Sequence, residues 1–169
     1  MVRKARVDDA AAIARVHTET WRVAYRGIVD DDVLDGLEAS RGRIEAWREI
    51  LASESARVFV AEADGTVGGF ASAGPSRDRD MEGEGEIYAI YVRPDLWGRA
   101  LGCALIAAAE EALRELGFVE AGLWVLEDNP RARGFYEAVG WRLDDGARKT
   151  LPNESRARGL IEVRYRRRL

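Results

Sequence analysis

The sequence contains a single cysteine, Cys103, and a chain with one thiol cannot form a disulfide within itself. This fits a protein of a reducing compartment, and we expect it in the cytoplasm. No run of residues approaches the roughly 18 apolar ones that a membrane-spanning helix needs. The N-terminus also enters a charged segment without the apolar core of a signal peptide. These absences predict a protein with no membrane partner and no anchor, and we also expect no bound metal.

An excess of positive charge is missing as well. Lysine and arginine total 26 against 30 aspartates and glutamates, a formal charge of −4, which is not the balance of a nucleic-acid-binding protein. The one strongly basic cluster, residues 164–168, falls in a predicted strand whose alternation divides its charges between two faces. Such charges are typical of a terminal strand that resists edge pairing. We therefore expect no nucleic-acid partner.

The apolar content is sufficient for one core. The chain of 169 residues is 47% hydrophobic, which predicts a single domain over residues 1–169. Periodicity and turn residues predict its elements. The predicted strands are Val2–Arg6, Val58–Glu62, Val67–Ala71, Glu86–Val92, Gly122–Leu126, Trp141–Leu143 and Ile161–Arg168. The predicted helices run to about Tyr25, over Val33–Leu37, over Arg41–Ser53, from Leu101 to Leu116 and from Pro130.

The order of these elements indicates the fold class. Asp64-Gly65 is a strong hairpin signal, so the strands on either side of it should pair antiparallel. A strand, helix and strand then follow from residue 86 to residue 126, which is the pattern of a crossover. Antiparallel strands combined with a crossover predict a mixed α/β fold of the α+β kind.

Residues 91–102 place a glycine-bearing loop between a strand and the start of a helix. Gly98 and Gly102 allow the backbone to approach a ligand closely, and the first amides of the helix have no helical acceptor. The pattern favours phosphate binding, although a purely structural turn is an alternative. A dinucleotide site of the G-x-G-x-x-G type fits poorly, because these glycines have another spacing and the strand before them belongs to a meander.

Residues 129–141 read NPRARGFYEAVGW and follow an apolar strand. The segment sets Asn129 and Tyr136 near opposite ends of one short predicted helix, where both could face one ligand. Each also has a structural alternative. Asn129 before Pro130 can cap the helix, and Tyr136 after Phe135 can be a core aromatic.

This segment resembles the N-x-x-A-x-x-F-Y-x-x-x-G-F pattern of the GNAT superfamily of acyl-CoA-dependent N-acetyltransferases. The resemblance covers nearly the whole chain and implies a central, mostly antiparallel sheet of six to seven strands flanked by helices. It implies that Asn129 helps to hold the coenzyme and the substrate and that Tyr136 gives a proton to the departing thiolate. Residues 21–27 also resemble the first helix and loop of a widespread bacterial subgroup.

The resemblance assigns the loop before the fourth helix to the pyrophosphate of acetyl-CoA. Against the Q/R-x-x-G-x-G/A pattern, Trp97 replaces a polar residue and Ala100 replaces a glycine, which is tolerable if Ala100 has ordinary helical dihedrals. Arg131 and Arg133 are candidates for contact with the 3′-phosphate of the coenzyme. The end of the strand before the loop should bind the pantetheine arm. The implied coenzyme contacts are Ile90, Tyr91, Val92, Trp97, Gly98, Arg99, Ala100, Leu101, Gly102, Asn129, Arg131 and Tyr136.

The acceptor amine needs a base, since an amine with a pKa of about 10.4 is protonated at neutral pH. Glu86 is the first candidate, because a similarly placed glutamate serves many members of the family. A solvated glutamate at a strand edge is the alternative. His17, the only histidine, is a second candidate for the acceptor site, although packing is the commoner role for such a residue.

These observations predict an acetyl-CoA-dependent N-acetyltransferase that acts on a primary amine of a small molecule or peptide by direct transfer in a ternary complex. The acceptor-pocket candidates are Trp21, Tyr25, His17, Glu86 and the segment 76–85, and core packing is the alternative role for the aromatic Trp21 and Tyr25. A non-catalytic acyl-CoA-binding or sensing domain with the same fold is the alternative. A homodimer is compatible with the fold.

Overall fold

The computed structural model describes residues 1–53, 55–153 and 155–169. Within these ranges seven strands form one sheet in the order β1-β2-β3-β4-β5-β7-β6. The strands are β1 (Val2–Lys4), β2 (Arg57–Ala63), β3 (Thr66–Pro75), β4 (Gly85–Val92), β5 (Glu120–Leu126), β6 (Arg142–Thr150) and β7 (Ile161–Arg168). The helices are α1 (Ala10–Ala24), α2 (Asp31–Asp35), α3 (Arg41–Ser53), α4 (Leu101–Glu115) and α5 (Pro130–Ala138).

The sheet confirms the mixed α/β prediction. Neighbouring strands pair antiparallel except β4 and β5, which are parallel and are joined through α4. One face of the sheet packs with α4 and α5, in a core that includes Leu105, Tyr136 and Tyr165. The other face packs against α1 and α3 around Phe70. No helix in the described ranges is long and apolar enough to cross a bilayer.

The prediction for the last two strands was wrong in part. The strand expected over Trp141–Leu143 extends over Arg142–Thr150, whose residues are mostly polar and exposed and so give no apolar alternation. The terminal strand β7 does not lie at an edge, since β6 folds back along its outer side. Two of its arginines form two ion pairs each: Arg164 contacts Asp80 and Asp144, and Arg166 contacts Glu84 and Glu120.

Candidate active site

A cleft opens where β4 and β5 separate. The two strands pair only over Gly85–Ile87 and Ala121–Leu123. On its other side, β4 pairs with β3 through a bulge, because Ser72 faces Ala89 while Ala73 faces Ile87, which leaves Tyr88 as the extra residue. A bulge bends its strand and increases the local twist. Beyond this point the strands diverge around a cavity of about 680 Å³.

One end of the cavity is formed by the loop before α4. Gly98 has φ +81° and Ala100 has φ +60°, and the first helical hydrogen bond runs from Ala104 N–H to the carbonyl of Ala100 at 3.1 Å. The amides of residues 101–103 therefore precede the helical hydrogen-bond ladder. Free amides and the helix dipole together favour an anion at this place.

The condition under which an alanine at position 100 would be tolerable, ordinary helical dihedrals, is not met. The φ of +60° and ψ of +6° of Ala100 lie in the left-handed region. A Cβ in that region is close to the following carbonyl oxygen, at a cost of roughly 1–2 kcal/mol. The chain keeps the loop shape that a glycine provides in the family pattern, although the residue there is alanine.

Replacing Ala100 with glycine is expected to raise the free energy of unfolding by about 1 kcal/mol, because glycine removes the left-handed strain at a modest entropic cost. Urea unfolding of the two proteins measures the difference. Ala107, exposed within α4, is the matched control, since glycine there should lower stability by about 1 kcal/mol. Equal destabilisation by both glycines would contradict this prediction.

Trp97 replaces the polar residue of the family pattern and supports an arginine. Its Nε1–H donates to the carbonyl of Val92 at 2.8 Å, which fixes the indole ring. The guanidinium of Arg131 lies over that ring, 3.6 Å from its centroid. Arg131 therefore brings a positive charge from α5 to the loop. Arg133 is engaged elsewhere, because it donates to the hydroxyl of Tyr165 and the carbonyl of Glu127.

Most of the predicted coenzyme residues lie together. Arg99 is the exception, since its side chain is exposed and faces Asp64 at 3.6 Å. No group of metal-ligating side chains occurs in residues 1–53, 55–153 and 155–169. The predicted residues that line the cavity are Ile90, Tyr91, Val92, Trp97, Gly98, Ala100, Leu101, Gly102, Asn129, Arg131 and Tyr136.

Asn129 caps α5 and also reaches the cavity. Its Oδ1 accepts a hydrogen bond from the backbone N–H of Ala132 at 3.1 Å, in the usual manner of an N-cap. The residue is 6% exposed and belongs to the cavity wall. The two roles considered from the sequence are therefore geometrically compatible.

Three tyrosines line the cavity. Tyr136 comes from α5, Tyr91 from β4 and Tyr25 from the end of α1. The hydroxyls of Tyr25 and Tyr91 are 3.4 Å apart. Burial, with a smaller contribution from Tyr91, raises the pKa of Tyr136 well above its ordinary value. Its phenol consequently stays protonated at neutral pH and can donate a proton.

Glu86 is not placed as the sequence suggested. It is 2% exposed and is absent from the cavity wall. Its Oε2 accepts from the backbone N–H of Arg77 at 2.8 Å, and its Oε1 accepts from Nη2 of the same arginine at 2.5 Å. A carboxylate held in this way is a structural anchor for the segment before β4. The rest of segment 76–85 also lies outside the cavity wall.

His17 lies behind the site. Its ring stacks on Tyr91 with centroids 4.9 Å apart, and it does not line the cavity. Nη1 of Arg43 lies 3.3 Å from its Nδ1, and because arginine can only donate, Nδ1 must accept. The ring is therefore neutral, with its proton on Nε2.

The cavity wall also contains an acid that was not predicted from the sequence. Glu162 lies on β7 opposite Leu126 of β5 and lines the cavity. Burial raises its pKa above the ordinary value, while Lys149, whose Nζ lies 3.7 Å from Oε2, opposes the shift. The sequence carried one signal for this position of Glu162, the alternation of side chains along β7. Glu162 shares one face of the strand with Arg164, while Val163 points to the core on the other face.

Aromatic and apolar side chains form the neighbouring part of the cavity wall. Trp21 and Tyr25 of α1 are in edge contact, with ring centroids 4.7 Å apart. Trp124 of β5 and Leu151 lie on the same cavity wall. The structure thus brings together the predicted Trp21 and Tyr25 with Glu162, and it leaves out His17 and Glu86.

Comparison with known proteins agrees with this geometry. The family model described as the acetyltransferase (GNAT) family matches residues 15–141. An N-acetyltransferase of Bacillus subtilis, YuaI, is 38% identical over 131 residues, 76% of this chain and 73% of the relative. The spermidine N(1)-acetyltransferase of Thermoplasma acidophilum is 24% identical over 132 residues, 76% of this chain and 79% of the relative. The L-amino acid N-acyltransferase MnaT of Escherichia coli is 32% identical over 117 residues, 69% of this chain and 64% of the relative.

Solved structures show the same fold. The PaiA N-acetyltransferase of Thermoplasma acidophilum, in complex with coenzyme A, superposes with a TM-score of 0.78 at 19% identity, covering 100% of this chain and 98% of that one. YncA of Salmonella typhimurium, with acetyl-CoA, gives a TM-score of 0.73 at 22% identity, covering 100% and 93% of the two chains. Together with the family match over residues 15–141, this leads to one conclusion: the chain belongs to the GNAT family of acetyltransferases.

Proposed function

We propose that the protein transfers an acetyl group from acetyl-CoA to a primary amine of a small molecule or peptide, by direct attack in a ternary complex. The continuous cavity supports this best, because it joins free helix amides at one end to an acid and aromatic rings at the other. Tyr136 lies on the wall of the same cavity. Relatives named for spermidine and for L-amino acids are consistent with an amine acceptor.

Acetyl-CoA fits the loop end of the cavity. The amides of Leu101 and Gly102 would bind the pyrophosphate, and Arg131 on Trp97 would meet a phosphate. The edge of β4 beyond Ile87 has no strand partner on the β5 side, so pantetheine can add there as a strand does. Residues 90–92 would then make the main-chain contacts.

The reaction requires a free amine. Deprotonating an amine of pKa about 10.4 at pH 7 costs about 4.6 kcal/mol, so a base close to the acceptor is needed. The lone pair attacks the thioester carbonyl carbon, and the negative charge that develops on its oxygen requires a hydrogen-bond donor. As the intermediate collapses, the C–S bond breaks and Tyr136 donates its proton to the thiolate.

An amine panel assayed by release of free thiol from acetyl-CoA tests the proposal. Sustained, acceptor-dependent turnover is expected. Tight binding of acetyl-CoA with no turnover across the panel would favour the non-catalytic sensing domain. Intact mass spectra taken during turnover address the route, because an acetylated enzyme, at Cys103 or elsewhere, would contradict direct transfer.

A further inference from the structure

Resting on the proposed function, the acceptor end of the cavity narrows the substrate class. We infer that the acceptor is a primary amine with one positive charge, an apolar body and no anionic group. In this assignment Glu162 receives the ammonium group of the acceptor and takes its proton.

The chemistry of the acceptor end favours an apolar body. Its aromatic and apolar wall residues are Trp21 of α1, Tyr25 just after α1, Trp124 of β5, and Leu151 and Ala157 from the segment between β6 and β7. Aromatic side chains bury large apolar areas, and their faces also attract a cation. A flexible polar chain would leave these surfaces without a matching partner.

The charges of the cavity wall limit the charge of the acceptor. Among the wall residues that the structure describes, Glu162 is the one carboxylate and Arg131 is the one cation. Arg131 is stacked on Trp97 at the coenzyme end. Lys149 borders this end, with Nζ 3.7 Å from Glu162 and 4.0 Å from the ring centroid of Trp124, but its side chain is 41% exposed and lies outside the wall, so water solvates its charge. An amino acid would therefore bring a carboxylate that no cation of the described wall residues meets at this end, and a polyamine would bring a second ammonium without a second acid. A buried charge without a partner costs several kcal/mol.

The environment of Glu162 suits both binding and proton transfer. Its side chain is 19% exposed, and Lys149 at 3.7 Å is too distant for a hydrogen bond, so the carboxylate can accept from a ligand. Arg77 and Glu86 face Glu162 from the β4 side and shift its pKa in opposite directions, since Arg77 lowers it and Glu86 raises it. Burial raises the pKa values of Tyr25 and Tyr91, and the negative charge of Glu162 raises them further. Glu162 therefore lies within electrostatic range of both tyrosines.

The proton balance is complete with these groups. The ammonium gives one proton to Glu162, and the neutral nitrogen forms the C–N bond to the carbonyl carbon. When the C–S bond breaks, Tyr136 gives its proton to sulfur and regains one from the nitrogen of the new amide. Glu162 then releases its proton to solvent, so each turnover yields the amide, free coenzyme A thiol and one proton.

Matched amines test the substrate class. Phenethylamine and phenylalanine differ by a carboxylate, and hexylamine and 1,6-diaminohexane differ by a second ammonium. Titration calorimetry in the presence of coenzyme A gives the affinity, and thiol release with acetyl-CoA gives kcat/KM. We expect phenethylamine to be preferred about 100-fold over phenylalanine, and hexylamine about 10-fold over the diamine.

The possible outcomes separate the two proposals. Equal or reversed preference within either pair, or no binding of any amine, would overturn the inference. Selective binding of the monoamines without turnover would support the assigned class and refute the proposed enzymatic function.

A Glu162→Gln variant tests the residue itself. For phenethylamine we expect kcat/KM at pH 7 to fall about 10-fold or more, and the acid limb of the pH profile to move to higher pH, because turnover then depends on the fraction of amine that is already free. Because burial raises the pKa of Glu162, its ionised form destabilises the folded protein above that pKa. The variant should therefore be at least as stable as the wild type at pH 7.

Glu120→Gln is the matched control, since Glu120 is exposed on β5 and pairs with Arg166. It should leave both kcat/KM and the pH profile unchanged. An unaltered acid limb in Glu162→Gln, or the same loss in both variants, would refute the assignment of Glu162.

Discussion

Replacing Tyr136 with phenylalanine is expected to lower kcat for acetyl transfer about 100-fold, within the range typical of acid–base groups. The affinity for acetyl-CoA should stay within about twofold of the wild type. Tyr136 is 8% exposed and packs with Phe135 and Tyr165, so phenylalanine keeps the ring in place. The substitution removes only the hydroxyl that would donate to the thiolate.

The electrostatics of Tyr136 determine how this loss should depend on pH. Burial raises its pKa well above the ordinary value, so the phenol does not ionise in the range of a normal assay. Its removal should lower kcat by about the same factor across the neutral range and leave the acid limb intact. That pattern would distinguish it from Glu162, whose removal should change the limb.

Tyr165→Phe is the matched control. Tyr165 is fully buried on β7, and its hydroxyl donates to Glu137 at 2.6 Å and accepts from Arg133 at 3.1 Å. Losing that hydroxyl should lower stability and leave kcat near the wild-type value. If Tyr136→Phe kept full steady-state turnover, Tyr136 could not be the proton donor.

The sequence was sufficient to predict the fold because its signals are local. The hairpin at Asp64-Gly65, the glycine that ends α4 and the apolar runs of β2 to β5 each depend on neighbouring residues. The position of β7 inside the sheet could not be predicted in the same way. It depends on the pairing of β6, a polar strand whose partner residues lie between 11 (Thr150 with Ile161) and 24 (Arg142 with Arg166) positions further along the chain.

The candidate site was predictable where it follows a motif and unpredictable where it depends on packing. The motif predicted that Asn129, Tyr136 and the loop around Gly98 belong to one site, and all three line one cavity. It could not show that Arg77 would occupy both oxygens of Glu86. Nor could it show that Glu162, from a strand distant in sequence, would lie at the acceptor end.

His17 illustrates the same limit, and its burial predicts acid sensitivity. Burial, together with the positive charges of Arg43 and Arg156, lowers its pKa to about 4. An unfolded chain has an ordinary histidine with a pKa of about 6.5. Between these values the unfolded state binds a proton that the folded state does not, so the free energy of unfolding should fall by about 3 kcal/mol as the pH drops through this window.

Urea unfolding at several pH values, with wild-type protein and a His17→Gln variant, measures this contribution. The variant should lose about 3 kcal/mol less than the wild type between pH 6.5 and pH 4, because glutamine does not titrate. His17 is the only histidine, so no second imidazole contributes to the difference. Buried carboxylates such as Glu162 titrate in both proteins, so their contribution to the free energy of unfolding cancels in the difference between the two proteins. Parallel curves for the two proteins would mean that His17 accepts a proton in the folded state, and that the ring stacked on Tyr91 is open to solvent.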